Sequence, residues 1–325
     1  MNLIIQKIGK KITKEHIVEI IAWVAILAIV APICLASTYV FFRADDFAEG
    51  ILNISDRNGN FFNLLMHSFR YIKEMYFTWM GTYFSKFMQM LLHPVNTGKG
   101  LMQLKLVMGG NTVLFVVSFG LFLYALVKEN VEKRYLRIWL VVCGYVGVLG
   151  FQAWYEALYW YSGALCYSLP ISMFFLAFAI LMLEKKESMV RNIIVGILLF
   201  CGAGGNLAVV GVGCWILIIF IVNQLFAHKF KWKYMVLLLT TMAGALINVT
   251  APGNYVRQDV HEGGICLFRS IIWSFDFMIR NYEWLFFETP FVLFVIIAFL
   301  IGIAEGKKKQ ISDVYVKVMV LTKAL

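Results

Sequence analysis

The sequence predicts an all-α polytopic membrane protein: one transmembrane domain over residues 1–325, with about eight spanning helices and amphipathic interfacial helices in its outer loops. Three observations predict it. First, 61% of the residues are apolar, 15% are charged, and the mean hydropathy is +0.77. A soluble domain is about half apolar and a quarter charged, so this chain carries more apolar side chains than a water-soluble core of its size can bury. Second, uncharged apolar runs recur along the chain. Third, the connections between them alternate between short basic segments and long aromatic-rich ones. An ordinary soluble enzyme, a disordered chain and a disulfide-stapled module are excluded.

A span needs roughly 20 apolar residues, because a helix rises about 1.5 Å per residue through a hydrocarbon core about 30 Å thick. The first run is Ile20–Phe42, preceded by Lys7, Lys10, Lys11 and Lys14. It continues past Ala36-Ser37 into Tyr39-Val40-Phe41-Phe42, too long for a signal-peptide core, and reads as an uncleaved span with its N-terminus inside. The next spans read as Leu106–Val127, Ile138–Phe151, Leu165–Leu183, Ile193–Gly204, Leu207–Phe226, Tyr234–Val249 and Pro290–Ile303. Ile311–Leu325 reads as the start of a ninth helix. Lys128–Arg137, Glu184–Arg191, His228–Lys233, Glu305–Lys309 and the N-terminal tail together hold 17 Lys and Arg. With eight spans these five segments share one side, which the positive-inside rule makes the cytoplasm. That distribution also accounts for the net charge of +10 without nucleic acid.

The opposite side carries two long connections, Arg43–Lys99 and Thr250–Thr289. In Phe61–Leu92, apolar residues recur at helical spacing with His67, Arg70, Lys73, Glu74 and Lys86 between them. Ile265–Phe287 is built alike, with Arg269, Asp276, Arg280 and Glu283. Either these are amphipathic helices lying in the outer interface, or they pack against the protein's own outer surface. An enzyme handling a lipid-linked substrate would use the former. Clustered glycines (Gly144, Gly147 and Gly150, then Gly202, Gly204, Gly205, Gly211 and Gly213) let membrane helices approach closely. The six cysteines form no C-x-x-C pair and read as small buried hydrophobes.

A charge in hydrocarbon marks an ion or proton route. The span middles hold none, which argues against an ion-coupled pump. Polar residues gather instead where spans reach the outer side: Asp45 and Asp46, the segment Trp79 to Ser85 with Tyr83, the run Glu156 to Pro170 with Trp160 and Tyr161, then Asn206, and Asn248 with Pro252-Gly253-Asn254 and Arg257. Each has a plain reading beside a chemical one. The two aspartates cap the next helix, or one takes a proton from a hydroxyl while the other orients it or holds a divalent cation. The aromatic rings around Glu156 form an interface belt, or stack on a sugar. Pro252-Gly253-Asn254 is a turn signal. Arg257 snorkels to lipid phosphate, or clamps a substrate phosphate. His261-Glu262 is not part of H-E-x-x-H, and the sequence has no G-x-S-x-G, P-loop or dinucleotide fingerprint. For Asp259, His261 and Glu262 a solvated loop outweighs a metal site.

At these residues the chain resembles the GT-C class of polytopic membrane glycosyltransferases, in a poorly characterised bacterial branch. The likeness runs from Asp45 to Arg257. It comprises an acidic pair after the first span, an aromatic-Gly segment ending in Tyr83-Phe84-Ser85, Glu156 leading an aromatic, Gly-Ala and Leu-Pro run, and Pro252-Gly253-Asn254 followed by Arg257. Thr82 stands where a basic residue is expected after Gly81, and relatives tend to be longer. The resemblance implies a sugar transferred from a polyprenyl phosphate to a cell-envelope glycan or lipid-linked acceptor at the outer face of a bacterial plasma membrane. Asp45 or Asp46 would be the general base and Arg257 would stabilise the leaving phosphate. Glu156, Trp160, Tyr161, Asn206, Asn254, Trp79 and Tyr83 would contact sugar or acceptor. Asp46 is the candidate ligand for a divalent cation, Mg or Mn. Membrane lipids are the implied surroundings, and nucleic acid is not a partner. The competing expectation is a non-catalytic flippase, polymerase or export component for lipid-linked glycans.

Overall fold

The computed structural model describes residues 13–50, 60–149, 154–184, 186–260 and 267–306. Regular structure among them is helical throughout, with no strand. The N-terminal lysines before Thr13, the segment around His261 and Glu262, and Ile311–Leu325 lie outside the described residues.

Helix α1 spans Lys14–Ala36, its first turn capped by Thr13. The sequence suggests a run to Phe42. The helix stops earlier because the Ser37 and Thr38 hydroxyls donate back to the carbonyls of Cys34 and Leu35, at 2.6 and 2.7 Å, and Val40 is extended. A 3₁₀ stretch, Ala44–Gly50, follows. Two helices come next in the first long connection, α2 (Phe61–Thr78) and α3 (Tyr83–Leu92), with a single turn α4 (Pro94–Thr97). The bundle then continues through α5 (Gly100–Lys128), α6 (Arg134–Leu149), two short helices α7 (Trp154–Tyr159) and α8 (Tyr161–Cys166), and α9 (Ser168–Leu183). After it come α10 (Met189–Ala203), α11 (Leu207–Phe226), α12 (Trp232–Val249), α13 (Pro252–Val260), α14 (Leu267–Phe287) and α15 (Phe291–Gly306).

Among the described residues five helices are long and apolar enough to cross a membrane: Lys14–Tyr39, Gly100–Lys128, Tyr161–Leu183, Leu207–Phe226 and Trp232–Val249. The runs expected near 138–151, 193–204 and 290–303 also fall on helices, α6, α10 and α15. Of these α10, with 15 residues, is about 22 Å long at ~1.5 Å per residue, short of the hydrocarbon core, whereas α6 and α15 run to the edge of the described residues. Exposed apolar side chains surround the long helices, for example Val24 at 58%, Leu27 at 64% and Val236 at 57% exposure. Water does not tolerate a girdle of that kind, whereas lipid does. The protein is a multi-pass helical membrane protein.

The interior is packed with aromatic and branched side chains. Helices α5 and α9 run side by side in the same direction: Leu104 and Met108 meet Leu165 and Leu169 near one end, and Phe122 meets Phe175 and Phe178 near the other. Phe174, Phe178, Leu199, Leu217 and Leu237 bury the centre of α9 to α12. At one end the basic connections are tied by ion pairs, Arg134 to Glu19 at 3.0 Å and Lys233 to Glu184 at 2.5 Å. The opposite end carries the long connections, and α3 is inserted there. The sequence suggests one amphipathic stretch over Phe61–Leu92, lying in the interface or against the protein. The structure breaks it at Trp79–Thr82 and turns α3 inward, leaving Phe61, Phe62, Phe69 and Phe77 of α2 exposed. The reason is polar. Ser85, Lys86 and Gln89 point into the bundle end, where Ser85 Oγ donates to Leu165 O at 2.8 Å and Gln89 Nε2 to Ser162 O at 2.8 Å.

Candidate functional site

The chain turns at residues 79–82 because Gly81 touches α12: a Cβ there would lie 1.9 Å from Asn248 O. Gly81 N donates to Asn254 Oδ1 at 2.9 Å, and Asn254 Nδ2 donates to Asn248 O at 2.7 Å. One amide side chain thus fastens the start of α13 to both α12 and the α2–α3 turn. Gly204 is bare for the same reason, since its Cβ would strike the Tyr83 ring at 2.2 Å. Phe84 N donates to Gly204 O at 3.0 Å, so α3 is hung on the α10–α11 hairpin.

Between these elements opens a cleft of about 580 Å³. Asp45, Arg257 and Gln258 line it. Thr82, Lys86 and Gln89 form one wall from α3, and Trp160, Ser162, Gly163 and Tyr167 form a second. Asn206, Asn248, Asn254 and Tyr255 complete it. Its titratable charges are one carboxylate, Asp45, and two cations, Lys86 and Arg257. Asp45 and Arg257 are exposed, whereas Lys86 is buried in the wall. The Arg257 guanidinium lies 5.6 Å from the Trp79 ring centre, which holds the cation at the rim. Gln89 Oε1 and Trp160 Nε1, both on cleft-lining residues, have no hydrogen-bond partner among the described residues. The Gln89 amide cannot be flipped to relieve this, because its other end faces the Ser162 carbonyl and must be the donor.

The two adjacent aspartates are separated by the fold. Asp45 is exposed to the cleft, while Asp46 has no accessible surface. Asp46 Oδ1 accepts from Ser162 N at 2.9 Å and Ser162 Oγ at 2.7 Å, and Oδ2 accepts from Arg43 N at 2.9 Å. His93 Nε2 sits 2.8 Å from its backbone carbonyl. Asp46 fastens the chain after α1 to the start of α8. Its carboxylate is wrapped by protein donors and does not fit a divalent cation. Among the described residues no three His, Cys, Asp or Glu side chains cluster.

The other residues singled out in the sequence divide in the same way. Trp160, Asn206, Asn254 and Arg257 join Asp45 at the cleft. Asn206 is committed locally: its Oδ1 caps α11 at Ala208 N, 2.9 Å away, and its Nδ2 reaches Cys166 O at 3.3 Å. Tyr161 is buried behind the wall and donates to Gln89 O at 2.6 Å. Tyr83 is wedged between α10 and α12, donating to Phe200 O at 3.1 Å, and burial pushes its hydroxyl pKa up. Glu156 is exposed on α7 and does not line the cleft. Asn248, and Ser162 within the Glu156 to Pro170 run, are among the polar residues read at the span ends, and Lys86 reads only as a cation of the Phe61–Leu92 stretch; Gln89, Tyr255 and Gln258 are not singled out in the sequence. A signal for Lys86 and Gln89 exists: Thr82, Lys86 and Gln89 recur at 4 and 3, which places them on one helix face. Comparison with protein-family models, with characterised proteins and with solved structures finds no match to the chain.

Proposed function

We propose that the chain is a membrane glycosyltransferase of GT-C type, taking a sugar from a polyprenyl phosphate and passing it to a cell-envelope glycan or lipid-linked acceptor. The site would face outward from a bacterial plasma membrane. The observation that supports this reading is the composition of the cleft: an exposed carboxylate, two cations, aromatic rings, and amide and hydroxyl groups, all at the end of an apolar bundle. That set matches a sugar phosphate on an apolar tail. Aromatic faces stack on sugar rings, amides pair with hydroxyls, and Arg and Lys pair with phosphate.

Asp45 is the base in this proposal. It takes the proton of an acceptor hydroxyl, whose oxygen attacks the anomeric carbon. The bond from that carbon to the phosphate oxygen breaks, and the polyprenyl phosphate leaves with its new charge beside Arg257. Asp46 does not touch substrate and serves as a positioning residue, holding the Ser162 wall and the Asp45 backbone in register. Trp160 offers the stacking face. Asn254 and Asn206 shape the walls through their backbone contacts.

The test is transfer from radiolabelled polyprenyl-phosphate sugars to envelope glycans by the full chain in proteoliposomes. Removing a positioned base costs about 10²–10⁴ in rate, so Asp45→Asn should fall by at least about 100-fold. Undiminished transfer by that variant would overturn the assignment.

A further inference from the structure

A second cavity lies at the other end of α10 and α12, around the starts of these helices, and is separate from the cleft. It is a groove of about 510 Å³. Ile193, Gly196, Ile197, Val236, Leu237 and Thr240 line it, and Asn192 and Lys233 stand at its mouth. Its depth has a physical origin in Gly196, where a Cβ would meet only Leu237 Cδ2, at 3.7 Å. Ile193, Ile197 and Val236 are about half exposed along its lips, so the groove opens on the lipid-facing side. From Met189 to Phe200 it follows about 16 Å of helix at ~1.5 Å per residue, close to the depth of one leaflet of a ~30 Å hydrocarbon core.

The mouth is cationic. Lys233 reaches Glu184 at 2.5 Å and Glu187 at 3.6 Å, Lys231 reaches Glu187 at 2.8 Å, and Arg191 reaches Glu184 at 3.9 Å. Two carboxylates are thus shared by three cations, and Lys186 and Lys229 belong to the same two connections, near Glu187 and Lys231 in the chain. Asn192 Oδ1 has no hydrogen-bond partner among the described residues. An apolar channel one leaflet deep, ending in surplus positive charge and an amide acceptor, matches one chemistry. The acyl chain of an acidic phospholipid fills the channel, its phosphate meets the cations, and a glycerol hydroxyl can serve the amide.

We propose that the groove between α10 and α12 is a binding site for an acidic phospholipid of the phosphatidylglycerol type. The site is independent of the glycosyltransferase reading and stands whether or not the cleft transfers sugar. Its role is to fasten these two helices, which also carry the Asn248 and Ala203 contacts under the cleft.

The test uses the full chain in nanodiscs of phosphatidylglycerol and phosphatidylethanolamine in equal amounts, released for native mass spectrometry. One uncompensated cation at a membrane surface gives about a fivefold preference for an anionic headgroup, so retained phosphatidylglycerol should exceed phosphatidylethanolamine by at least about that factor. Gly196→Trp fills the channel and should bring the ratio to unity. Ile197→Trp, at the exposed lip, gives the same reading if Gly196→Trp does not fold. The double change Lys186→Gln with Lys229→Gln should lower the ratio while leaving the Lys233–Glu184 pair intact. Retention of the two lipids in their bulk ratio by the unaltered chain would overturn the proposal, as would a preference that survives a folded Trp variant.

Discussion

Replacing Asp46 by Ala tests how the cleft end is held. The substitution removes the acceptor from Ser162 N, Ser162 Oγ and Arg43 N at a position with no solvent access. Leaving a buried donor unsatisfied costs about 1–3 kcal/mol. The Ser162 hydroxyl can rotate to another acceptor and water can reach Arg43 N, because Arg43 is exposed, so the buried Ser162 N–H sets the scale and the loss comes to about 1–3 kcal/mol. At roughly 2–4 °C per kcal/mol for a chain of a few hundred residues, the melting temperature should drop by about 5 °C. Asp46→Asn should fall in between, because its amide keeps one acceptor for Ser162 but turns a second donor towards Arg43 N. Thermal unfolding in detergent, read by tryptophan fluorescence, measures this directly. Asp45→Asn is the matched control: the exposed neighbour should leave the melting temperature within about 2 °C, since surface substitutions change stability by under ~0.5 kcal/mol. An Asp46→Ala protein that melts with the unaltered chain would refute the reading of Asp46 as a structural anchor.

Other expectations follow from neighbouring contacts. Arg257→Gln should lower kcat/KM for the donor by about 10–100-fold, the value of a charge-assisted hydrogen bond of ~1.5–3 kcal/mol, with thermal stability unchanged because Arg257 is exposed. Asn254→Ala orphans Gly81 N and releases the α2–α3 turn, so it should lower stability by about 1–3 kcal/mol and accelerate proteolysis near Trp79. At the basic end, Lys231 holds the Glu187 carboxyl below the usual glutamate range, and Glu187 in turn raises Lys231. Because the folded-state value is depressed, this contribution is present above the ordinary glutamate pKa of 4.5 and disappears as pH falls through the lowered one. Glu187→Gln should therefore flatten the acid side of the stability profile, measured as melting temperature between pH 3 and 6.

The bundle was legible because membrane helices write themselves as long uncharged runs, and each of the eight expected spans falls largely on helix where it is described. What periodicity could not fix was length and ending. The first run reads to Phe42, yet α1 ends at Ala36, where two hydroxyls fold back on their own backbone. The inward turn of α3 depends on Ser85 and Gln89 finding carbonyls more than 70 residues away, which no local pattern reports. For the same reason the pair Asp45-Asp46 looks symmetrical in sequence and is not so in space. Asp46 turns inward to Ser162 and Arg43 N, and Asp45 is left facing the cleft. Asn254 and Asn206 were visible as polar residues at span ends, but their work in fastening backbone shows only in three dimensions. Gln89 was passed over among its apolar neighbours, and Lys86 was visible as a cation of the Phe61–Leu92 stretch but not as part of a cleft wall.

Photo-crosslinking asks most directly whether the cleft takes a sugar phosphate on a lipid. A polyprenyl-phosphate sugar carrying a diazirine on its sugar is illuminated with the full chain in membranes, and the labelled peptides are mapped. Labels should fall on the cleft segments, residues 82–89, 160–167 and 254–258, and should fade when unlabelled donor is added. Labels confined to other parts of the bundle, or indifferent to competing donor, would contradict the assignment of this cleft as the site of transfer.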